Sequence, residues 1–191
     1  MGIFNVSKVA QTPKTTGDRQ NQQKRDANIE QLFATEIFDA VNEYREQNRL
    51  QPVVRFHRID ELCLEHCLYM YKNNDFSHAN WDSARTSRGE LVREELVLKL
   101  GFTKTTENLA SEHCYPWQSS AHCYPWQFSN PQERELIVRE KMLGSWLGSP
   151  EYRGNIKMGS HTHSGICAII CPPTAEYPDY VQCFVTQIFA S

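Results

Sequence analysis

Apolar residues recur at steps of three or four at Ile29, Phe33, Ile37, Val41 and Tyr44, with charged and amide side chains between them. That period predicts an amphipathic helix over 29–50, laid on a core. A second helix is expected from Asp60, a good N-cap, through "ELCLEHCLYMYKNN" to the turn-forming Asn73, Asn74 and Asp75. "RGELVREELVLKLG" (88–101) predicts a third, ending at Gly101, and "TTENLAS" (105–111) predicts a strand. "NPQERELIVREKMLGSWL" (130–147) opens with Asn130 as cap, Pro131 at the first helical position and Glu133 three residues after the cap, so a fourth helix is sharply bounded at its start. A new turn is expected at Ser149-Pro150. "SGICAIIC" (164–171) and "YVQCFVTQIFA" (180–190) then read as strands joined by the Pro-rich hairpin loop "PPTAEYPD". Both strands are apolar on both faces, which places them mid-sheet with helices on either side. The expected class is α+β: a three-layer α/β/α sandwich around a central antiparallel sheet.

A length of 191 residues supports one domain, drawn here as 29–191 behind a polar segment, 1–28. "GDRQNQQKRDAN" carries no apolar stripe and reads as a flexible tail. The formal charge is only −3 with both signs scattered, so nucleic acid is not an expected partner. No apolar run is long enough to cross a bilayer, and "MGIFNVSKVA" lacks the pattern of a secretory leader, so the chain as written reads as cytoplasmic. Gly2 behind Met1 raises N-myristoylation, although Val6 stands where that motif wants Ser or Thr. Of seven cysteines, Cys63 and Cys67 fall at i, i+4 and read as small buried groups. Cys167 and Cys171 lie too far apart along one strand to pair with each other, whereas either is in reach of Cys183 on the next strand, which leaves disulfides an open question.

One stretch repeats itself. Ser111–Ser119 and Ser120–Phe128 differ only where Glu112 becomes Ala121 and Ser119 becomes Phe128. The duplication gathers His113, Cys114, His122 and Cys123, the ligand types zinc prefers, but adjacent His and Cys side chains diverge, and structural zinc sites space their ligands as Cys-x-x-Cys or His-x3-His. Tyr115, Trp117, Tyr124 and Trp126 give the same stretch a large aromatic content.

Four segments in order, "VNEYREQNRLQPV", "NNDFSHANWD", "TENLAS" and "SWLGSPEYRGNI", together with the closing "FVTQIFA", resemble the CAP superfamily of cysteine-rich secretory proteins, antigen 5 and pathogenesis-related proteins (the SCP-like domain). The likeness runs from about Phe33 to Ala190 and is closest to the simple microbial-type form, which has Ser-Pro-Gly-His-Arg where this chain has "SPEYR". The resemblance implies an α/β/α sandwich with a cleft holding two histidines and two acidic residues, in some members with a divalent metal. His78 and Glu107 match two of those positions, Tyr152 replaces the second histidine, and Ser149 stands where a second Glu is found in animal and plant members. A phenol with a pKa near 10 is a poor stand-in for imidazole as zinc ligand or proton relay. His161 or His163 would fill the vacated position if the strand after them began early; otherwise both are exposed loop residues. In the family, the segment after the Glu-Asn strand forms the cleft rim, so 111–128 reads as a duplicated rim loop.

The resemblance implies a binding module whose cleft residues (His78, Glu107, Ser149, Tyr152) and rim aromatics (Trp117, Trp126) meet a lipid, a sterol-like molecule or a partner protein. Against it stand a hydrolase or zinc-dependent enzyme using His78 and Glu107, with His161 or His163 as further metal ligands, and a membrane-tethered scaffold using Gly2.

Overall fold

The computed structural model describes the backbone of residues 16–78, 93–114, 130–171 and 181–191. The two C-terminal segments have no polar face to give to water, and the sheet is built around them. β3 (His163–Cys171) and β4 (Val181–Ala190) pair antiparallel, from His163 opposite Ala190 to Cys171 opposite Gln182. On the other side of β4 lies β2 (Thr105–Cys114), antiparallel over ten residues. β1 (Val54–Arg55) adds to β3 in parallel, giving the order β1-β3-β4-β2. The sheet is therefore mixed, antiparallel except for this two-residue edge strand. β2 outruns its expected end, because β4 offers ladder partners as far as Val181, and it carries the first four residues of the repeat as strand.

α1 (Thr16–Gln47) buries Phe33, Ile37 and Val41 as its period predicts. It also extends back to Thr16, into the segment expected to be a tail. α2 (His57–Asn73) starts three residues before Asp60, which is not its cap. The Asp60 carboxylate instead accepts from Arg55 Nε (3.0 Å) and from the amide of Ile166 (2.8 Å) on the open edge of β3. α3 (Arg93–Lys99) is the described part of the third helix, and the Gly101 that follows has φ 101°, a conformation glycine adopts without strain. In α4, an α-helical start (Pro131–Leu136) passes through a π-helical stretch (Ile137–Leu143) to a last α-helical turn (Gly144–Gly148). Its cap is as expected, with the Asn130 side chain accepting from the amides of Gln132 and Glu133. Ser149 ends it and caps α5 (Pro150–Lys157).

Two faces of the sheet hold two helical layers. Phe33, Ile37 and Val41 of α1, Met142 and Trp146 of α4 and Ile156 of α5 pack against Ala110, Ile166, Cys183, Val185 and Phe189. On the opposite face, Cys63, Cys67 and Met70 of α2 and Val97 of α3 cover Leu109, Ile169, Phe184 and Ile188. That partition corrects the cysteine expectation. Cys183 faces α1 whereas Cys171 faces α2, and Cys167, with the parity of Cys171, packs on the α2 side too, so the sheet separates both from Cys183. Cys63, Cys67, Cys167, Cys171 and Cys183 are all free thiols.

A fully buried Arg45 ties α1 to the turn after α5. Its guanidinium donates to the carbonyls of Gln51, Ile156, Met158 and His161 at 2.6–3.1 Å. Burial lowers its pKa, and the four carbonyls supply the acceptors a buried cation needs.

Candidate functional site

α2 stops at Asn74, which adopts the left-handed conformation (φ 48°, ψ 43°) and turns its amide back to Met70 and Tyr71. Four residues later the chain presents His78. Strand register does the rest: Glu107 lies opposite Ile188 and so faces the layer of α2 and α3, where α3 opens with Arg93. Arg93 grips Glu107 with two parallel bonds, Nε to Oε1 at 2.9 Å and Nη2 to Oε2 at 3.0 Å. His78 Nδ1 donates to Oε2 of the same carboxylate at 2.8 Å, and its Nε2 lies 2.9 Å from the Tyr152 hydroxyl. Tyr152 comes from α5, which is held to β2 by Asn155 Nδ2 to Asn108 Oδ1 (2.9 Å) and Asn108 Nδ2 to the Tyr152 carbonyl (3.1 Å). One helix earlier, Trp146 Nε1 donates to the Leu109 carbonyl at 2.7 Å, anchoring α4 to the same strand.

Burial alone would raise the pKa of Glu107, but the His78 hydrogen bond and the Arg93 charge outweigh it and hold the carboxyl below its usual range. Glu107 is therefore ionised at neutral pH. A carboxylate only accepts, so His78 Nδ1 carries a proton, and in the neutral ring Nε2 accepts from the phenol. Tyr152 stays protonated to play that part, its pKa raised by burial and by the charges of Glu151 and Glu107. Behind this group sits His66 of α2, buried and stacked on Tyr69, its pKa pushed down to about 4 by burial.

The fold has solved counterparts. An extracellular protein containing an SCP domain from Bacillus anthracis superposes with a TM-score of 0.57 at 21% identity, covering 94% of this chain and 45% of that one. The chain has the CAP fold. An outer surface protein from Borrelia burgdorferi matches with a TM-score of 0.52 at 15% identity, over 88% of this chain and 94% of its own. This chain thus spans less than half the length of the Bacillus protein. No protein-family model and no curated protein matches the sequence.

Of the CAP cleft positions named from sequence, the structure brings His78, Glu107 and Tyr152 into hydrogen-bonding contact, and puts Ser149 at the cap of the helix that carries Tyr152. It does not bring His161 or His163 to them. β3 begins at His163, so His161 precedes the strand, and it is buried rather than exposed. His161 bonds Thr106 Oγ1 at 3.1 Å and stacks on Phe189, on the α1 side of the sheet and so across it from Glu107. Burial, with Arg45 and Lys104 nearby, pushes its pKa down to about 4. His163 packs its ring against Phe56 and Phe102. Trp117, Trp126, His122 and Cys123 lie outside the described residues. Arg93 is the site residue that sequence reading missed, because one arginine opening "REELVLK" looks like any solvated helix charge.

The residues present do not fit the divalent cation that some CAP proteins bind. Both ring nitrogens of His78 are engaged, both Glu107 oxygens are held by Arg93 or His78, and the Arg93 guanidinium already balances the carboxylate charge. Among the described residues no group of three or more His, Cys, Asp or Glu has the arrangement to hold a metal ion.

Proposed function

We propose that this chain is a CAP-type binding module in which the cleft quartet is a structural clasp and recognition of a lipid or sterol-like ligand falls to the cleft rim, with Trp117 and Trp126. The observation that carries this reading is the pairing of Glu107 with Arg93. A general base or metal ligand needs a lone pair that a reactant can reach, and Glu107 is wholly buried with both oxygens already accepting from a guanidinium or an imidazole. What His78, Glu107, Arg93 and Tyr152 do well is hold four elements together: the loop after α2, helix α3, strand β2 and helix α5. A hydrolase built on His78 and Glu107 would also need a nucleophile, and among the described residues the side chains bonded to His78 are the Glu107 carboxylate and the Tyr152 phenol.

The test is capture of a fluorescent sterol and a fluorescent fatty acid by the full chain, with zinc titrated in parallel. Capture that survives His78→Gln and falls at least tenfold in a Trp117→Ala, Trp126→Ala double variant supports the module. Stoichiometric zinc binding that vanishes with His78→Gln overturns it in favour of a metal site, and failure to capture either probe removes the lipid reading.

A further inference from the structure

α2 lies unusually close to β3. A Cβ on Gly165 would fall 2.5 Å from the backbone of Ile59 and Asp60, so only glycine permits this approach. Small residues continue the contact along the helix. Cys63 donates its thiol to the Gly165 carbonyl (3.4 Å), and one turn on, the Cys67 sulfur lies 3.6 Å from the carbonyl of Cys167 and 3.4 Å from the hydroxyl of Thr186, the residue opposite Cys167 in the ladder. The Cys67 and Cys167 side chains pack in the same cluster between α2 and the sheet. Their surroundings differ. Cys67 is wholly buried, whereas Cys167 is half-buried, with its sulfur 3.7 Å from the Ala168 carbonyl, on the stretch of β3 that β1 leaves unpaired. That edge opens into a groove of about 480 Å³ lined by Arg55, Asp60, Leu64, Cys167 and Ala168.

We propose that Cys67 and Cys167 form a peroxide-responsive thiol pair, with Cys167 as the entry point from the groove and a Cys67–Cys167 disulfide pinning α2 to β3 as the product. Cys167, as thiolate, attacks one oxygen of a peroxide, the O–O bond breaks, and the leaving oxygen departs with the thiol proton as water or alcohol. The resulting sulfenic acid is attacked by the Cys67 sulfur; its S–O bond breaks, and the Cys67 proton leaves with the hydroxyl as water. Two thiols are oxidised by two electrons and the peroxide is reduced by two. Cys67 is the resolving partner and not the first nucleophile, since it is wholly buried where Cys167 lines the groove, and burial pushes its thiol well above the ordinary range.

The full chain, freshly reduced and treated with a small excess of hydrogen peroxide, is alkylated and mapped by mass spectrometry. The expected product has lost about 2 Da, two hydrogens, and yields a cross-linked peptide containing Cys67 and Cys167. Cys167→Ser abolishes it, and Cys67→Ala leaves a sulfenic acid on Cys167 that dimedone traps. The proposal is overturned if Cys167 proceeds to sulfinic acid without linking to Cys67, if the cross-link joins Cys167 to Cys63 or Cys171 instead, or if Cys167 is not oxidised while other thiols are.

Discussion

Removing the Arg93 guanidinium while keeping its stem tests whether the clasp is held by charge. In Arg93→Met the side chain still fills the space beside β2, so the loss is mainly electrostatic. The two groups are 8% and 0% exposed and joined by two bonds, so water supplies little screening. Breaking such a pair from one side costs about 3–5 kcal/mol, because the remaining charge stays buried. His78, which also bonds the carboxylate and is itself 28% exposed, limits the damage and puts the expectation at the lower end, about 3 kcal/mol. The partner test is Arg93→Met with Glu107→Gln, which removes the stranded charge as well. Urea unfolding followed by tryptophan fluorescence at pH 7 should show the single variant destabilised by about 3 kcal/mol and the double variant recovering more than about 1 kcal/mol of it. A single variant within about 1 kcal/mol of wild type, or a double variant less stable than the single, would refute the argument that an isolated Glu107 charge is what the fold cannot tolerate.

Two further outcomes follow from the geometry. Gly165→Ala should destabilise by about 1–3 kcal/mol or more, since the new methyl meets backbone atoms that can move only with α2 itself, and unchanged urea midpoints would show that the helix is free to shift. Acid should weaken the fold through its buried histidines. His66 and His161 titrate near 4 in the fold against about 6.5 when unfolded, so unfolding takes up protons between those values. Stability is whole above about pH 6.5 and falls toward pH 4 by up to about 1.4 kcal/mol per unit for each ring. Glu107, its pKa depressed, adds its own loss only below the usual carboxylate range. Urea midpoints measured from pH 8 to pH 4 check this, with His161→Asn expected to flatten the slope and a level wild-type profile counting against it.

What was legible in the sequence is what a local period can encode. The stripe of Phe33, Ile37 and Val41, the Asn130 cap and the two-faced apolar strands each state their burial within a few residues, and three layers follow from them. The misses lie where a distant partner decides. Asp60 looks like a cap by its neighbours, but the unpaired amide of Ile166 on the edge of β3 claims its carboxylate. The helical turns before Ile29 have no apolar stripe to announce them, although Gln, Lys, Arg and Ala are good helix formers. The extension of β2 into the repeat follows from the length of β4, which no reading of 105–111 alone contains.

The site divides along the same line, and the division accounts for the part Tyr152 plays. His78 and Glu107 carry recognisable motifs, yet what they can do depends on a residue with none. A carboxylate buried as completely as Glu107 requires positive charge nearby, from a metal, an imidazolium or a guanidinium. Arg93 meets that requirement from α3, permanently and with a fork that matches both oxygens. Once the charge is balanced, the position facing His78 has no further electrostatic task, and a second imidazole there would face His78 with a competing ring. A phenol does better: it offers one donor to the one open nitrogen and packs its ring against the imidazole, with centroids 5.8 Å apart. Arg93 and Tyr152 thus meet the two needs of one group, charge balance for Glu107 and a donor for His78. Placing histidine at 152 alone therefore leaves the guanidinium in place, and zinc affinity is expected only when Arg93 is removed along with it.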